Sequence, residues 1–264
     1  MTTPAELLDL AADVAREAAE LIVERRRGRV TVADTKSTDT DVVTAVDRES
    51  EELIRKRVLA VRPDDAFLGE EGEDVIGTSG VRWVVDPIDG TVNYLYDHPT
   101  YAVSIAVEQD GRTVAGVVVN APLGETFTAT LGGGAFLDGR PIAVSGCTDL
   151  AKALVGTGFG YDPARRAVQA EVVRQLIPHI RDIRRIGVGA VDLCYVACGR
   201  LDAAYERGLN AWDYGAGELI ASEAGARTGG LHGAPVSPEM TIAASPAIFE
   251  ALHDVLVEAD ALRA

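Results

Sequence analysis

The feature that most constrains the fold is a change of pattern near Leu150, after which short apolar strands alternate with helices. The predicted pairs are "ALVGTGF" with residues 164 to 179, "IRRIG" with 190 to 199, "RLDAAYE" with 212 to 225, and "MTIAAS" with 246 to 262. Alternation of this kind is typical of an α/β sheet with helices packed against it. The pattern therefore predicts an α/β half over residues 146 to 264.

The N-terminal segment has the pattern of an amphipathic helix. Thr3, Pro4 and Glu6 are suited to an N-cap, a first-turn proline and a capping-box acid. Apolar residues follow at helical spacing as far as about Gly28. A second helix is predicted from about Thr44, after a polar loop, and we expect both helices to pack on one sheet.

That sheet is predicted from several short strands. "VRWVV" predicts one strand, and "YAVSIAVEQDGRTVAGVVVN" predicts two more joined at an Asp110-Gly111 hairpin turn. "GETFTATLGGGAFLDGRPIAV" continues with strands and glycine-rich turns. Residues 1 to 145 are therefore predicted to form an α+β half with a largely antiparallel sheet, fused to the second half around a shared cleft.

Composition narrows the class of protein. The 264 residues are 47% hydrophobic, which is enough for a substantial core and excludes a disordered or fibrous chain. Acidic residues outnumber basic ones 41 to 25, so a formal charge of −16 disfavours direct binding of nucleic acid. An acidic protein that handles an anionic substrate needs metal ions or backbone amides to reverse the local field.

Cysteine usage and the N-terminal residues predict a cytoplasmic protein. Cys147, Cys194 and Cys198 are an odd number without metal-ligand spacing, which favours free thiols in a reducing compartment. The first 28 residues contain early acids and no uninterrupted apolar run, so we expect neither a signal peptide nor a membrane span.

The segment "DPIDGT" carries the first candidate chemistry. Asp86 and Asp89 follow a predicted strand, where open α/β sheets place their ligand sites. Pro87 fixes the turn, and Gly90 and Thr91 offer amide N–H groups at the start of the next element. The segment is suited to holding a divalent cation and a phosphate together. A strand-end turn with an N-capping aspartate explains the same residues without any chemistry.

Other acids lie beside the ends of predicted elements. "LGEE" carries Glu70 and Glu71, while Asp213 and Asp47 each fall in the first turn of a helix. Converging carboxylates would suit Mg²⁺, which takes oxygen ligands and completes its shell with water and phosphate. Acids in first turns also favour the helix macrodipole, and spacing along the chain does not show convergence.

The motifs "GEE", "DPIDGT" and "WDYGAGELIASEAG", in this order and at these separations, closely resemble the inositol monophosphatase family of Mg²⁺-dependent sugar phosphatases. The resemblance runs over nearly the whole chain. It implies a mixed α/β fold with layers in the order α-β-α-β-α, as in inositol monophosphatases and fructose-1,6-bisphosphatases. It further implies two or three Mg²⁺ ions per site, inhibition by lithium, and a homodimer.

Carried over by position, the resemblance assigns the metal ligands. The first ion would bind Glu70, Asp86 and the carbonyl of Ile88, and the second would bind Asp86, Asp89 and Asp213. A third, weaker ion would rely on Glu70.

The same resemblance assigns the reacting groups. Thr91, with Asp47 and Glu70, would orient and deprotonate a metal-activated water for attack on phosphorus, without a phosphoenzyme. The amides of Gly90 and Thr91 would hold phosphate oxygens.

The polyol contacts implied by the resemblance come from three segments of the second half. They are the turn Ile186, Gly187, Val188 and Gly189, then Glu206, and finally Asp213. Asn210 stands where some members have histidine, which puts one wall of the pocket in doubt.

The resemblance implies a phosphomonoesterase that hydrolyses inositol 1-phosphate. Related members act on fructose 1,6-bisphosphate, adenosine 3′,5′-bisphosphate or histidinol phosphate, and Arg184 and Arg185 leave a bisphosphate open. A regulatory binding protein is a further alternative. An aspartyl-phosphate mechanism is disfavoured because two residues separate Asp86 from Asp89. "GTGFG" lacks the lysine of a phosphate loop and is interpreted as a strand-to-loop turn.

Overall fold

A computed structural model describes residues 2–28, 32–35, 42–259 and 261 of the chain. Within these residues the α-helices are α1 (Pro4–Arg26), α2 (Ala45–Val61), α3 (Thr91–Leu95), α4 (Pro163–Leu176), α5 (Gly189–Ala197), α6 (Ala211–Glu223) and α7 (Pro246–Glu258). The strands are β1 (Val32–Thr35), β2 (Val42–Thr44), β3 (Ala66–Gly69), β4 (Val81–Asp89), β5 (Ala102–Gln109), β6 (Arg112–Asn120), β7 (Glu125–Thr130), β8 (Gly134–Leu137), β9 (Arg140–Pro141), β10 (Leu154–Thr157), β11 (Asp182–Arg184), β12 (Ala203–Glu206), β13 (Arg227–Gly229) and β14 (Thr241–Ala244). Short 3₁₀ turns cover Ala121–Leu123, Leu150–Lys152, Ile177–His179 and Leu231–Gly233.

The first two helices begin as the sequence predicts. The Thr3 hydroxyl accepts a hydrogen bond from the Glu6 amide, and the Glu6 carboxylate accepts one from the Thr3 amide, which completes the capping box of α1. Thr44 and Asp47 form the same reciprocal pair at the start of α2. Both predicted N-termini are confirmed.

The larger sheet has the order β3-β4-β5-β6-β7-β8-β9. Only β3 and β4 pair in parallel, so the prediction of a largely antiparallel sheet is confirmed. Helices α1 and α2 cover one face of this sheet. The apolar layer between them is fully buried and contains Leu7, Ile22, Ile54, Phe67 and Trp83.

The smaller sheet has the order β11-β10-β12-β14-β13. Strands β10, β11 and β12 pair in parallel, whereas β14 is antiparallel to both β12 and β13. The four predicted strand and helix pairs are present, but β13 was not predicted because its three residues carry no apolar alternation.

The elements stack in five layers. Helices α5 and α6 lie between the two sheets, where they contact both. Helices α4 and α7 pack on the outer face of the smaller sheet, through residues such as Val172 and Leu252. The layered α-β-α-β-α architecture is therefore confirmed.

One segment differs from the prediction, and another is not tested. Strand β4 does not end at Val85 but continues through "DPID" to Asp89. The predicted polar loop over residues 36 to 41 lies outside the described residues, and on its two sides β1 and β2 pair antiparallel. No helix in the described part of the chain is both long and apolar enough to cross a membrane.

Candidate active site

The candidate site begins at a bulge in β4. Asp86 pairs with Ser104 and Asp89 pairs with Ala102, so three steps along β4 match two along β5. In a regular strand, side chains three positions apart point to opposite faces; the extra residue lets both aspartates share one face. Proline has no N–H to donate to a neighbouring strand, and Pro87 is tolerated because the extra residue of a bulge makes no such hydrogen bond.

Three carboxylates converge at this bulge. Asp86, Asp89 and Asp213 each offer an oxygen within 4.8 Å of the others. Asp86 is 1% exposed and Asp89 is 8% exposed. Asp213 reaches them from the first turn of α6, although it lies more than one hundred residues further along the chain.

Backbone amides fix the orientation of these carboxylates. The amide of Ala190, in the first turn of α5, donates to Asp89 Oδ2 at 2.7 Å. The amide of Ile88 donates to Asp86 Oδ1 at 2.9 Å, and that of Asn210 donates to Asp213 Oδ2 at 2.6 Å. Each aspartate is therefore held in place by the fold.

The crowding of acids shifts their pKa values upward. Burial, followed by the charges of Glu206 and Glu70, raises the pKa of Asp89 to about 7. Burial and the carboxylates of Asp89 and Glu70 hold the pKa of Asp213 well above its usual range. Ionisation of these carboxylates therefore destabilises the fold in the absence of a nearby positive charge.

The donor set fits a hard divalent cation. All three converging groups are carboxylates, and oxygen ligands are what Mg²⁺ takes in proteins. A cation among them would offset the repulsion that raises their pKa values.

Thr91 and Asp47 form a second part of the site. The Thr91 hydroxyl lies 3.0 Å from Asp47 Oδ1 and 3.1 Å from the carbonyl oxygen of Ile88. The other carboxylate oxygen of Asp47 accepts from the Thr44 amide at 2.9 Å, as part of the capping box. Asp47 is fully buried, and burial raises its pKa. The capping role and the contact with Thr91 therefore coexist in one carboxylate.

Glu70 lines the cleft and comes directly after β3. The loop that carries it is anchored by Glu51, whose carboxylate accepts from the Glu71 amide at 2.8 Å. Glu51 is 4% exposed and was not predicted, since on α2 it looks like any other acid of a charged helix.

The site lies in a cleft of about 380 Å³. Among the predicted residues, those lining it are Glu70, Asp86, Ile88, Asp89, Gly90, Thr91, Gly187, Gly189, Glu206 and Asp213. The predicted turn residues Ile186 and Val188 are not among the lining residues, and Val188 is buried at 1% exposure. The carbonyl of Ile186 accepts from the Asn93 amide group at 3.0 Å.

Sequence reasoning missed one wall of this cleft, made by Phe159, Gly160, Tyr161, Asp162 and Arg165. Phe159 and Gly160 end "GTGFG", which was interpreted as a strand-to-loop turn, and the other three continue from it into the first turn of α4. The signal was topological: β10, β11 and β12 are parallel, so the segments after them meet at one edge of the sheet. Of the two arginines proposed for a bisphosphate, Arg185 lines the cleft, whereas Arg184 pairs with Asp182.

Comparisons with known structures and protein families identify the class of protein to which the chain belongs. A structure titled as the extragenic suppressor protein suhB of Bartonella henselae superposes with a TM-score of 0.90 at 34% identity, covering 95% of this chain and 98% of that one. The model of the inositol monophosphatase family matches residues 3–260. The chain therefore belongs to the inositol monophosphatase family.

Two curated relatives carry different names. The inositol-1-monophosphatase SuhB of Mycobacterium tuberculosis is 48% identical over 242 residues, which cover 85% of this chain and 83% of the relative. A protein named Nus factor SuhB, from Pasteurella multocida, is 36% identical over 254 residues, covering 94% of this chain and 95% of the relative.

Proposed function

We propose that the chain is a Mg²⁺-dependent phosphomonoesterase that hydrolyses inositol 1-phosphate to inositol and phosphate. The observation that carries the proposal is the convergence of Asp86, Asp89 and Asp213 beside the hydrogen-bonded pair Thr91 and Asp47. The name of the mycobacterial relative supports the choice of inositol phosphate over other sugar phosphates.

The metal residues would divide as the family resemblance implies. Asp86, Asp89 and Asp213 would hold one ion, and Glu70, Asp86 and the carbonyl of Ile88 another. Bound Mg²⁺ supplies charge neutralisation for the phosphate and lowers the pKa of water. The amides that fix Asp86, Asp89 and Asp213 would keep them in place while their charges are neutralised.

Thr91 and Asp47 would position the attacking water. Because the Thr91 hydroxyl can give its own proton to Asp47 Oδ1, its lone pairs face the cleft as acceptors for a water proton. Glu70, which also lines the cleft, would take a proton from that water.

Phosphate and polyol would be held by different segments. Gly90 and Thr91 lie at the start of α3, where amide groups lack helical partners and suit phosphate oxygens. The carboxylate of Glu206, together with Gly187 and Gly189, would bind ring hydroxyls. Burial and then the charge of Asp213 raise the pKa of Glu206 to about 7.

We further propose that the chain forms a homodimer, and that residues 1 to 145 and 146 to 264 are the two structural halves. A role like that named for the Pasteurella relative is a second candidate. The complete set of metal residues around the cleft favours the enzyme, because a scaffold has no need of buried, crowded carboxylates.

Phosphate release tests the proposed function. The purified chain with Mg²⁺ is given inositol 1-phosphate, fructose 1,6-bisphosphate, adenosine 3′,5′-bisphosphate and histidinol phosphate, and kcat/KM is compared. We expect inositol 1-phosphate to be hydrolysed, and Asp213→Asn to abolish its hydrolysis while the circular dichroism spectrum stays the same. Absence of release from every substrate would refute the enzyme.

A further inference from the structure

Helix α2 presents three buried polar side chains to the candidate site. Ser50 and Glu51 follow Asp47 by three and four residues, so all three share one face of the helix. Asp47 and Ser50 are fully buried, and Glu51 is 4% exposed. Asp47 lies 3.0 Å from the Thr91 hydroxyl, whereas the proposed mechanism does not involve Ser50 or Glu51.

Glu51 supports the loop that carries Glu70. Its carboxylate oxygen Oε2 accepts from the Glu71 amide at 2.8 Å. A Cβ atom at Gly69 would overlap this carboxylate, and one at Gly72 would lie 2.5 Å from its Oε1. The two glycines therefore let the loop backbone approach the carboxylate closely on both sides of Glu70.

Ser50 contacts the bulge of β4. Its hydroxyl donates to the carbonyl oxygen of Pro87 at 3.2 Å, and this hydrogen bond is buried. Pro87 lies between Asp86 and Ile88, which are the two proposed metal ligands that this strand shares with Glu70. The hydrogen bond therefore fixes the bulge relative to α2.

Adjacent residues of one helix thus hold both segments of one proposed metal site. The ion proposed for Glu70, Asp86 and the Ile88 carbonyl has its ligands on the loop after β3 and on the bulge in β4. The other ion differs, since the amides that orient Asp89 and Asp213 come from the starts of α5 and α6. Groups that orient the ligands of a metal site also set its affinity for the metal.

We propose that Glu51 is a positioning residue for the metal site. It holds the loop after β3 so that Glu70 reaches the ion bound by the β4 bulge, and Ser50 fixes that bulge to the same helix. The inference rests on the proposed function, because it concerns the ion that Glu70 would bind. Removal of the Glu51 carboxylate should loosen the loop without removing a metal ligand.

Hydrogen exchange in the metal-free protein tests the contact itself. In EDTA, amide exchange is followed by mass spectrometry in the peptide that spans residues 69 to 76. In Glu51→Ala we expect one amide of this peptide to exchange about tenfold faster than in the wild type, since the Glu71 amide loses its acceptor. Exchange as slow as in the wild type would overturn the inference.

A matched control comes from the same helix. Glu52 pairs with Arg55 and Lys56 and does not line the cleft. Glu52→Ala should therefore exchange in this peptide as the wild type does. Faster exchange of the peptide in both variants would assign the effect to α2 in general and would overturn the role of Glu51.

Mn²⁺ binding measured by electron paramagnetic resonance tests the consequence for the metal site. Glu51→Ala should weaken the binding of at least one ion about 10- to 100-fold. Glu51→Gln keeps an oxygen acceptor and should bind nearly as the wild type does. A loss in Glu51→Gln as large as in Glu51→Ala would overturn the inference, because Glu51 would then act through its charge.

Ser50→Ala keeps the test decisive if Glu51→Ala fails to fold. It removes one oxygen atom and one neutral hydrogen bond, and it should weaken the binding of an ion about fivefold. Mn²⁺ isotherms equal to that of the wild type in Ser50→Ala and in every folded variant of Glu51 would overturn the inference. None of these measurements uses turnover, so a failure of the proposed function would appear separately, as absence of phosphate release by the wild type.

Discussion

Replacing Asp89 with asparagine should stabilise the metal-free protein while removing its activity. Asp89 is buried among other carboxylates, and its pKa rises from an ordinary 3.8 to about 7. A carboxyl with that shift makes the fold about 4 kcal/mol less stable once it is fully ionised. Asparagine keeps an oxygen that can accept from the Ala190 amide. The substitution therefore removes the charge and retains the hydrogen bond.

The stabilisation should depend on pH in a defined direction. Because the pKa is raised in the folded state, the wild type loses stability as the pH rises from about 4 to about 7. The Asp89→Asn variant lacks this loss. Its advantage should therefore be greatest, at most about 4 kcal/mol, above pH 7 and should vanish below about pH 4.

Urea unfolding in EDTA measures the difference, at a series of pH values. The control is Asp9→Asn, which removes an exposed acid of α1 and should unfold as the wild type does. Addition of Mg²⁺ should stabilise the wild type more than the Asp89→Asn variant. A variant that is less stable than the wild type in EDTA at pH 8 would contradict the description of Asp89 as a destabilising metal ligand.

Three further outcomes are expected. Thr91→Val should lower kcat by about 100-fold with little change in KM, because the hydrogen bond to Asp47 is lost. Thr91→Ser keeps the hydroxyl and should retain activity, and an equal loss in both variants would count against a role of this hydroxyl in positioning water. Gly158→Ala puts a Cβ atom 2.1 Å from Glu206 Oε2 and should displace that carboxylate. The KM for inositol 1-phosphate should then rise, while p-nitrophenyl phosphate, which lacks ring hydroxyls, is still hydrolysed. An equal loss of activity on the two substrates would exclude a contact between Glu206 and the polyol. Lithium chloride should inhibit turnover where potassium chloride of equal concentration does not, and insensitivity would mean an altered second metal site.

Local rules predict the elements that local interactions determine. The capping boxes at Thr3 and Thr44 fix where α1 and α2 begin, and the Asp110-Gly111 turn joins β5 to β6. Strand order is different, because it depends on contacts between residues far apart in sequence. The antiparallel placement of β14 beside β12 has no local signature.

The bulge in β4 is a part of the site that the local sequence does not predict. "DPID" has the composition of a turn, and a turn after Val85 was predicted. The structure keeps the segment in the sheet, because Asp86 and Asp89 still pair with Ser104 and Ala102. The residue types could be identified from the sequence, but their shared face depends on one extra residue in the ladder.

Side-chain direction also could not be predicted. Arg184 and Arg185 are adjacent in sequence, yet only Arg185 lines the cleft in the described part of the chain. Residues of a strand end alternate between faces, so Arg184 meets Asp182 while Arg185 lines the cleft. Which of the two does so depends on the pairing of β11 with β10.

Metal binding tests the central claim most directly. Mn²⁺ in place of Mg²⁺ can be counted by electron paramagnetic resonance in the wild type and in Asp86→Asn, the proposed bridging ligand. We predict that the wild type binds two or three ions and that the variant loses at least one, with an unchanged circular dichroism spectrum. Equal numbers of ions in the two proteins would contradict the assignment of the metal site to the acids around the β4 bulge.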